Sequence, residues 1–202
     1  MVKMKELYVF IDNSFLFIQG YKYVKKTIPL GDSKKPQFNY AKFKTFLSQK
    51  GEIKRIVLVG SELSSNITAP CQRNGFEVFT LPRYPDMKSA KSVEKGVDQK
   101  LGWEIAKTIF TNRDRTANKQ IILCTGDKDF ASIFSDIQTS SWGLEVLLWD
   151  NSASQAYIQQ AQVFGTVQKL GSEWKKFIDI VDSKAGNPAT PVRKTAPKKT
   201  TV

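Results

Sequence analysis

Residues 121–130 read IILCTGDKDF. The first four are apolar and β-favouring, the pattern of a strand buried on both faces of a parallel sheet. Thr125-Gly126 breaks the run, and Asp127-Lys128-Asp129 leads into a helical pattern that starts at Phe130. An open α/β sheet binds ligands in the crevice beyond the carboxyl ends of its strands. Asp127 sits at such an end, which raises the question of whether other carboxylates reach the same edge.

Towards the N-terminus, residues 7–11 (LYVFI) form a second apolar run, closed by Asp12-Asn13-Ser14. Ser14 is a candidate cap for an aromatic-rich helix over 15–24, and helix capping alone is the competing account of Asp12 and Asn13. Residues 25–38 carry Lys25, Lys26, Lys34 and Lys35 among Pro29, Gly31 and Pro36 and read as a loop. Its lysines either contact phosphate or are simply solvated. Ala41, Phe43, Phe46 and Leu47 make 39–49 an amphipathic helix. A third strand over 55–60 (RIVLVG), a weak helix ending at Asn74-Gly75 and an alternating fourth strand over 76–81 (FEVFTL) follow. Such strand–helix repetition is the signature of a parallel sheet covered by helices.

Residues 82–92 (PRYPDMKSAKS) read as a polar loop leaving the carboxyl end of a strand. Basic residues interleaved with an aromatic (Arg83, Tyr84, Lys88, Lys91) fit a path for single-stranded nucleic acid, with an ordinary surface loop as the alternative. The strongest helical pattern is 93–110, where Val97, Leu101, Ile105 and Ile109 recur every four residues. Asp98 lies beside that stripe, with Glu94 and Lys95 one turn before it. A solvated surface cluster explains such charges equally well. After a polar connection over 111–119 and the opening stretch, a helix is expected over 130–138. A fifth strand covers 144–149 (LEVLLW) and ends at Asp150-Asn151-Ser152. A helix over 153–163 comes next, and 163–167 reads as its end or as a short strand. A last amphipathic helix is expected over 173–181, with Trp174, Phe177 and Ile178 on one side. From 182 onward Pro, Lys and Thr dominate, so the expected organisation is one domain over 1–181 and a disordered basic tail over 182–202.

The net charge of +12 points to a polyanionic partner, nucleic acid ahead of an anionic membrane. The tail carries a net +4, leaving +8 on the rest, so the basic character belongs to the folded part. Histidine is absent, which excludes Ser-His and Cys-His nucleophiles and His-ligated zinc. Cys71 and Cys124 have no neighbour at metal-site spacing, and Cys124 falls in an apolar run. Two scattered cysteines without a secretory leader lead to the expectation of a reducing intracellular compartment, cytoplasm or nucleus. No apolar stretch is long enough to span a bilayer.

Chemistry must therefore rest on carboxylates. If the strands ending at Asp12 and Asp127 are neighbours, and the helix bearing Asp98 starts beside them, three acids meet in one crevice. Two such charges at 4 Å repel by about 4 kcal/mol at an effective dielectric near 20. A hard divalent cation with oxygen ligands removes that cost. With a phosphate substrate, such a site activates water and steadies developing charge.

VFIDNS at 9–14, EKGVD at 94–98 and TGDKDF at 125–130 together resemble the three acidic motifs of the NYN domain, a family of the PIN-like nuclease superfamily. Order and spacing match along roughly residues 5–170. The resemblance implies a PIN-like three-layer αβα sandwich with a mostly parallel central sheet, and metal-dependent cleavage of RNA. Carried onto this chain, it makes Asp12, Asp98 and Asp127 ligands of Mg²⁺ or Mn²⁺, adds Asp129 as a further acid, and gives Asn13 and Thr125 assisting roles. Lys95, Arg83, Lys88, Lys91 and Tyr84 are then the candidates for holding the RNA. Relatives act in RNA processing and silencing, so protein partners there, and a homodimer, are compatible with it. Two positions depart from the pattern: Phe15 stands where many relatives carry Asn, and Ala161-Gln162 where they often carry Ala-Asp.

The expected activity is hydrolysis of phosphodiester bonds in single-stranded or flexible RNA, by an endonuclease rather than an exonuclease. The alternative is a non-catalytic RNA-binding or scaffold protein on the same fold. A haloacid-dehalogenase-like phosphatase fits less well, because Ser14 stands where its second Asp belongs. A P-loop enzyme fits least, since no Gly-rich GK[ST] loop follows a strand.

Overall fold

A computed structural model of the chain describes residues 4–85, 92–94, 96–113 and 118–183. Strand β1 (Glu6–Asp12) leads through a π-helical turn at Ser14–Gln19 into α1 (Gly20–Thr27). Then come β2 (Lys34–Phe38), α2 (Tyr40–Ser48), β3 (Glu52–Ser61), α3 (Ser65–Arg73) and β4 (Glu77–Leu81). The pair β5 (Arg83–Pro85) and β6 (Ser92–Glu94) precedes α4 (Val97–Thr111) and β7 (Lys119–Cys124). A 3₁₀ turn at Lys128–Ile133 runs on into α5 (Phe134–Thr139), followed by β8 (Gly143–Leu148), α6 (Gln155–Phe164) and β9 (Thr166–Lys169). The described chain closes with a 3₁₀ turn at Trp174–Lys176 and β10 (Ile178–Asp182).

The central sheet has six strands in the order β4-β3-β1-β7-β8-β9, every pair parallel. Strand β7 is buried along its whole length, and β1 everywhere but at Glu6. This is why both read as continuous apolar runs rather than alternating ones. Crossovers between parallel strands are right-handed. The chain steps from β1 to β3 to β4 in one direction, then returns across β1 to β7 and steps the other way. Helices α1–α3 therefore cover one face and α4–α6 the other, giving a three-layer α/β sandwich. Counted within the sheet, the order is 3-2-1-4-5-6, whose direction reverses between β1 and β7. That reversal is the topological switch point, where a crevice opens at the carboxyl edge.

Three elements expected from the sequence are corrected. The 25–38 loop is the end of α1 and then β2, and the 173–181 helix is a 3₁₀ turn and then β10. The two strands pair antiparallel, with Pro36 opposite Ile180. Among the described residues each has no second strand neighbour, so a proline is tolerated there, and their partners lie far apart in sequence. Phe177, fully buried, wedges among Phe38, Phe43, Phe46 and Trp149 and fixes the turn before β10. The helix expected from 93 starts at Val97, because 92–94 is strand β6 and Gly96 adopts φ +85°. That left-handed conformation favours glycine and breaks the helical path. Glu94 therefore does not share a helix face with Asp98. The 163–167 segment divides into the end of α6 and the added edge strand β9.

Helix α4 is tied to the sheet by charge as well as by its apolar stripe. Arg55 of β3 donates to the Glu104 carboxylate at 2.6 Å and to the Thr108 hydroxyl, and Lys100 donates to Glu104 at 2.6 Å. Glu104 is 2% exposed, yet its carboxyl is held below the ordinary range: burial opposes this, and the Lys100 and Arg55 donors outweigh it. Among the described residues no helix is long and apolar enough to cross a membrane. The expected tail lies almost wholly outside the described residues, which end at Ser183, one residue past β10.

Candidate functional site

Strand pairing sets the first two acids. Ile11 lies opposite Cys124, so Asp12 and Thr125 leave β1 and β7 side by side, across the switch point. Asp12 is 8% exposed. Its Oδ1 accepts the Ser14 amide at 2.8 Å, the Ser14 hydroxyl at 2.8 Å and the Phe15 amide at 3.3 Å. The expectation that Ser14 caps the following helix is thus reversed: the acid does so, and Ser14 donates to it. Asn13 is equally buried, and its Oδ1 has no hydrogen-bond partner among the described residues. Buried carboxamide oxygens are normally paired, so this one marks the position as a site for a donor or a cation.

The second loop is shaped by its own hydrogen bonds. The Asp127 amide donates to Thr125 Oγ1 at 3.3 Å, and the Asp129 amide donates to Asp127 Oδ1 at 2.9 Å. Thr125 is fully buried, and its carbonyl accepts the Tyr157 hydroxyl at 3.3 Å. Thr125 therefore supports the loop from below. A Cβ on Gly126 would stand 2.6 Å from both the Phe15 ring and the Ser152 carbonyl oxygen, so the backbone passes where only glycine fits. The charges of both strand-end acids are felt inside the core. Burial first, then the Asp127 carboxylate, pushes the Tyr157 hydroxyl up. Burial, Glu145 and Asp12 together push the Cys124 thiol up, with Lys50 opposing. Burial, opposed by a hydrogen bond with Tyr40, raises the Cys71 thiol to about 12. Both cysteines are buried and free, with thiols too weakly acidic to act as nucleophiles.

The other two acids meet on the α4 side. Asp98, exposed in the first turn of α4, lines an open cavity of about 390 Å³ whose opposite wall carries Asp129 and Ser132. Asp12 and Asp127 thus follow neighbouring strands, Asp129 is tied to Asp127 through its amide, and Asp98 and Asp129 line one cavity. The closed three-carboxylate cluster expected from the sequence is not found. Among the described residues no three Asp, Glu or Cys side chains stand close enough to hold a metal ion together. Asp12 is engaged by the amides of the turn it caps and Asp127 by the Asp129 amide, and like charges favour staying apart. The donor chemistry nevertheless fits a hard divalent cation: four carboxylates and an orphaned amide oxygen, with no histidine in the chain.

Of the candidates for holding RNA, Arg83 and Tyr84 lie exposed on β5, just past the carboxyl end of β4. Lys88, Lys91 and Lys95 lie outside the described residues. The sequence reading left one feature of this edge unassigned. Strand β8 also ends in Asp-Asn-Ser, at Asp150-Asn151-Ser152, repeating the order at 12–14. The recurrence after two apolar strands was the available signal. The two departures from the family pattern have structural places: Phe15 is a buried side chain against Gly126, and Ala161 is buried on α6 with Gln162 exposed.

A solved structure of a protein of unknown function from Vibrio parahaemolyticus superposes with a TM-score of 0.59 at 18% identity, covering 88% of this chain and 97% of that one. It supports the fold alone. A pyridoxal-phosphate C-S lyase from Staphylococcus hominis reaches a TM-score of only 0.34 at 9% identity, over 86% of this chain and 47% of that one, and carries no argument. No curated protein matches the chain. The NYN domain family model matches residues 6–168, and with its parallel six-stranded sheet the chain belongs to the NYN family of the PIN-like nuclease superfamily.

Proposed function

We propose that the protein is a Mg²⁺- or Mn²⁺-dependent ribonuclease that hydrolyses phosphodiester bonds within single-stranded or flexible RNA. The observation that carries this reading is the place of Asp12 and Asp127, which end neighbouring strands on either side of the switch point. Asp12, Asp98 and Asp127 would hold the cation, with the unpaired Asn13 oxygen as a neutral ligand beside them. A divalent ion bound there supplies charge to offset the phosphate and acidity to activate water. Asp129, exposed on the cavity wall opposite Asp98, orients the attacking water. Arg83 and Tyr84 hold the RNA backbone near the end of β4, and Lys88, Lys91 and Lys95, outside the described residues, are further candidates for that role. The net charge of +12 supports a polyanionic substrate.

One observation favours a second reading, a non-catalytic RNA-binding protein on the same fold: among the described residues no three carboxylates stand together as one metal-holding group. Cleavage of end-labelled single-stranded RNA separates the two. The nuclease reading expects internal cuts with Mn²⁺, none with EDTA, and loss of cutting in Asp127→Asn. Binding without any product, or cutting unchanged in that variant, removes the mechanism.

A further inference from the structure

The carboxyl edge has a basic side to which the acidic motifs give no role. Helix α1 follows the Asp12 turn and carries Lys22 and Lys26, four residues apart, hence on one face with about 6 Å of rise between them. Both are exposed and line an open cavity of about 380 Å³. Its opposite wall is the turn after β8, with Trp149, Asn151 and Ser152. Trp149 anchors the wall by donating its indole N–H to the Leu16 carbonyl at 3.0 Å and stacking on Tyr23. Asp150 lines the cavity too, but it sits against the Tyr23 hydroxyl and 4.0 Å from Lys169.

Two further observations favour an anionic ligand in this cavity. Like several other described lysines, Lys107 among them, Lys22 and Lys26 enter no ion pair among the described residues, so both are available to an anion, and they alone of these line this cavity. The cavity also abuts the acid loop, since the Ser152 carbonyl and the Phe15 ring both press on Gly126, the residue before Asp127. A polyanion lying over α1 would run directly to the strand-end acids.

We propose that Lys22 and Lys26 hold adjacent phosphates of a single-stranded RNA as it passes from the end of β8 into the acidic crevice, with Asn151 and Ser152 on the opposite wall. This deepens the ribonuclease reading and rests on it. It adds to the Arg83–Tyr84 side a second basic bank for the same strand. The lysines act by position and charge and take no part in bond breaking.

The test is fluorescence anisotropy of a labelled single-stranded oligoribonucleotide bound to the full chain in EDTA, where no cutting interferes, over a series of salt concentrations. Each phosphate contact contributes about 0.7 to the slope of log affinity against log salt for single strands. The variant Lys22→Gln/Lys26→Gln is expected to bind more weakly and to lose about 1.4 of slope. Lys107→Gln, an exposed lysine on the opposite helical layer, is expected to change neither. Unaltered melting temperatures keep folding out of the comparison. An unchanged slope in the double variant, or an equal loss in Lys107→Gln, overturns the α1 path while leaving the ribonuclease reading intact. A wild-type chain with no salt-dependent RNA binding removes both. Lysine-dependent binding to phosphatidylserine vesicles without RNA binding assigns the face to a membrane and overturns the proposal.

Discussion

Asp12 is the residue on which structure and chemistry converge. One of its oxygens receives two amides and a hydroxyl from the turn that follows β1, so the side chain orders the loop whatever else it does. Replacing an acceptor in such a turn typically costs about 1 kcal/mol. Asp12→Asn keeps a carbonyl oxygen for those donors and removes the charge. It is expected to melt within a few degrees of wild type and to lose RNA cleavage by a factor on the order of a hundred or more. Asp12→Ala is expected to lose cleavage and melting temperature together. Parallel thermal scans and cleavage rates check this, and an Asn variant that unfolds while a folded fraction still cuts would make Asp12 structural only. The acids at 12, 98, 127 and 129 stand out in the sequence because each breaks an apolar run or opens a helical one. The lack of a three-acid group among the described residues could not be read there, because it depends on which amides each side chain faces after the loops close.

At the scale of elements, α4 owes its seat to both an apolar stripe and a buried carboxylate. Glu104 is clamped by Arg55 and Lys100, and its carboxyl titrates below the usual value. A depressed carboxylate contributes stability that is complete above its unfolded value, about 4.3, and is lost as pH falls through the lower folded value. Stability is therefore expected to be insensitive to this group near neutrality and to decline below roughly pH 4.5. Glu104→Ala leaves Arg55 without its inner partner and is expected to cost about 3 kcal/mol at pH 7. Urea unfolding at pH 7 and at pH 3 measures both, and an equal penalty at the two values would contradict the assignment. The strands and helices of the parallel sheet could be read because burial on both faces leaves unbroken apolar runs. Strands β2 and β10 could not. Lys34, Lys35 and Pro36 look like a loop until a partner strand some 140 residues away supplies the hydrogen bonds, and Trp174, Phe177 and Ile178 mimic a helical spacing. The start of α4 was misplaced because Gly96, in a left-handed conformation, ends one element and begins another.

For the whole molecule, two doubly wound halves meet between β1 and β7 and bring residues more than a hundred positions apart to one edge. The strand–helix alternation and the order of the acidic motifs announced that architecture. Of the basic bank on α1 only Lys26 was weighed as a phosphate contact, and its pairing with Lys22 gains meaning only when the turn after β8 closes the cavity opposite them. The account joins an oxygen-rich acidic crevice to a surface of net positive charge, an arrangement suited to a phosphodiester with a divalent ion. The most direct measurement is the anomalous scattering of crystals soaked in Mn²⁺. The account predicts a peak within coordinating distance of the carboxylates of Asp12 and Asp127, with Asp98 drawn towards it, and its loss in Asp127→Asn. Well-diffracting soaked crystals with no peak at the end of β1 and β7, or with one only at an unrelated surface acid, would contradict it.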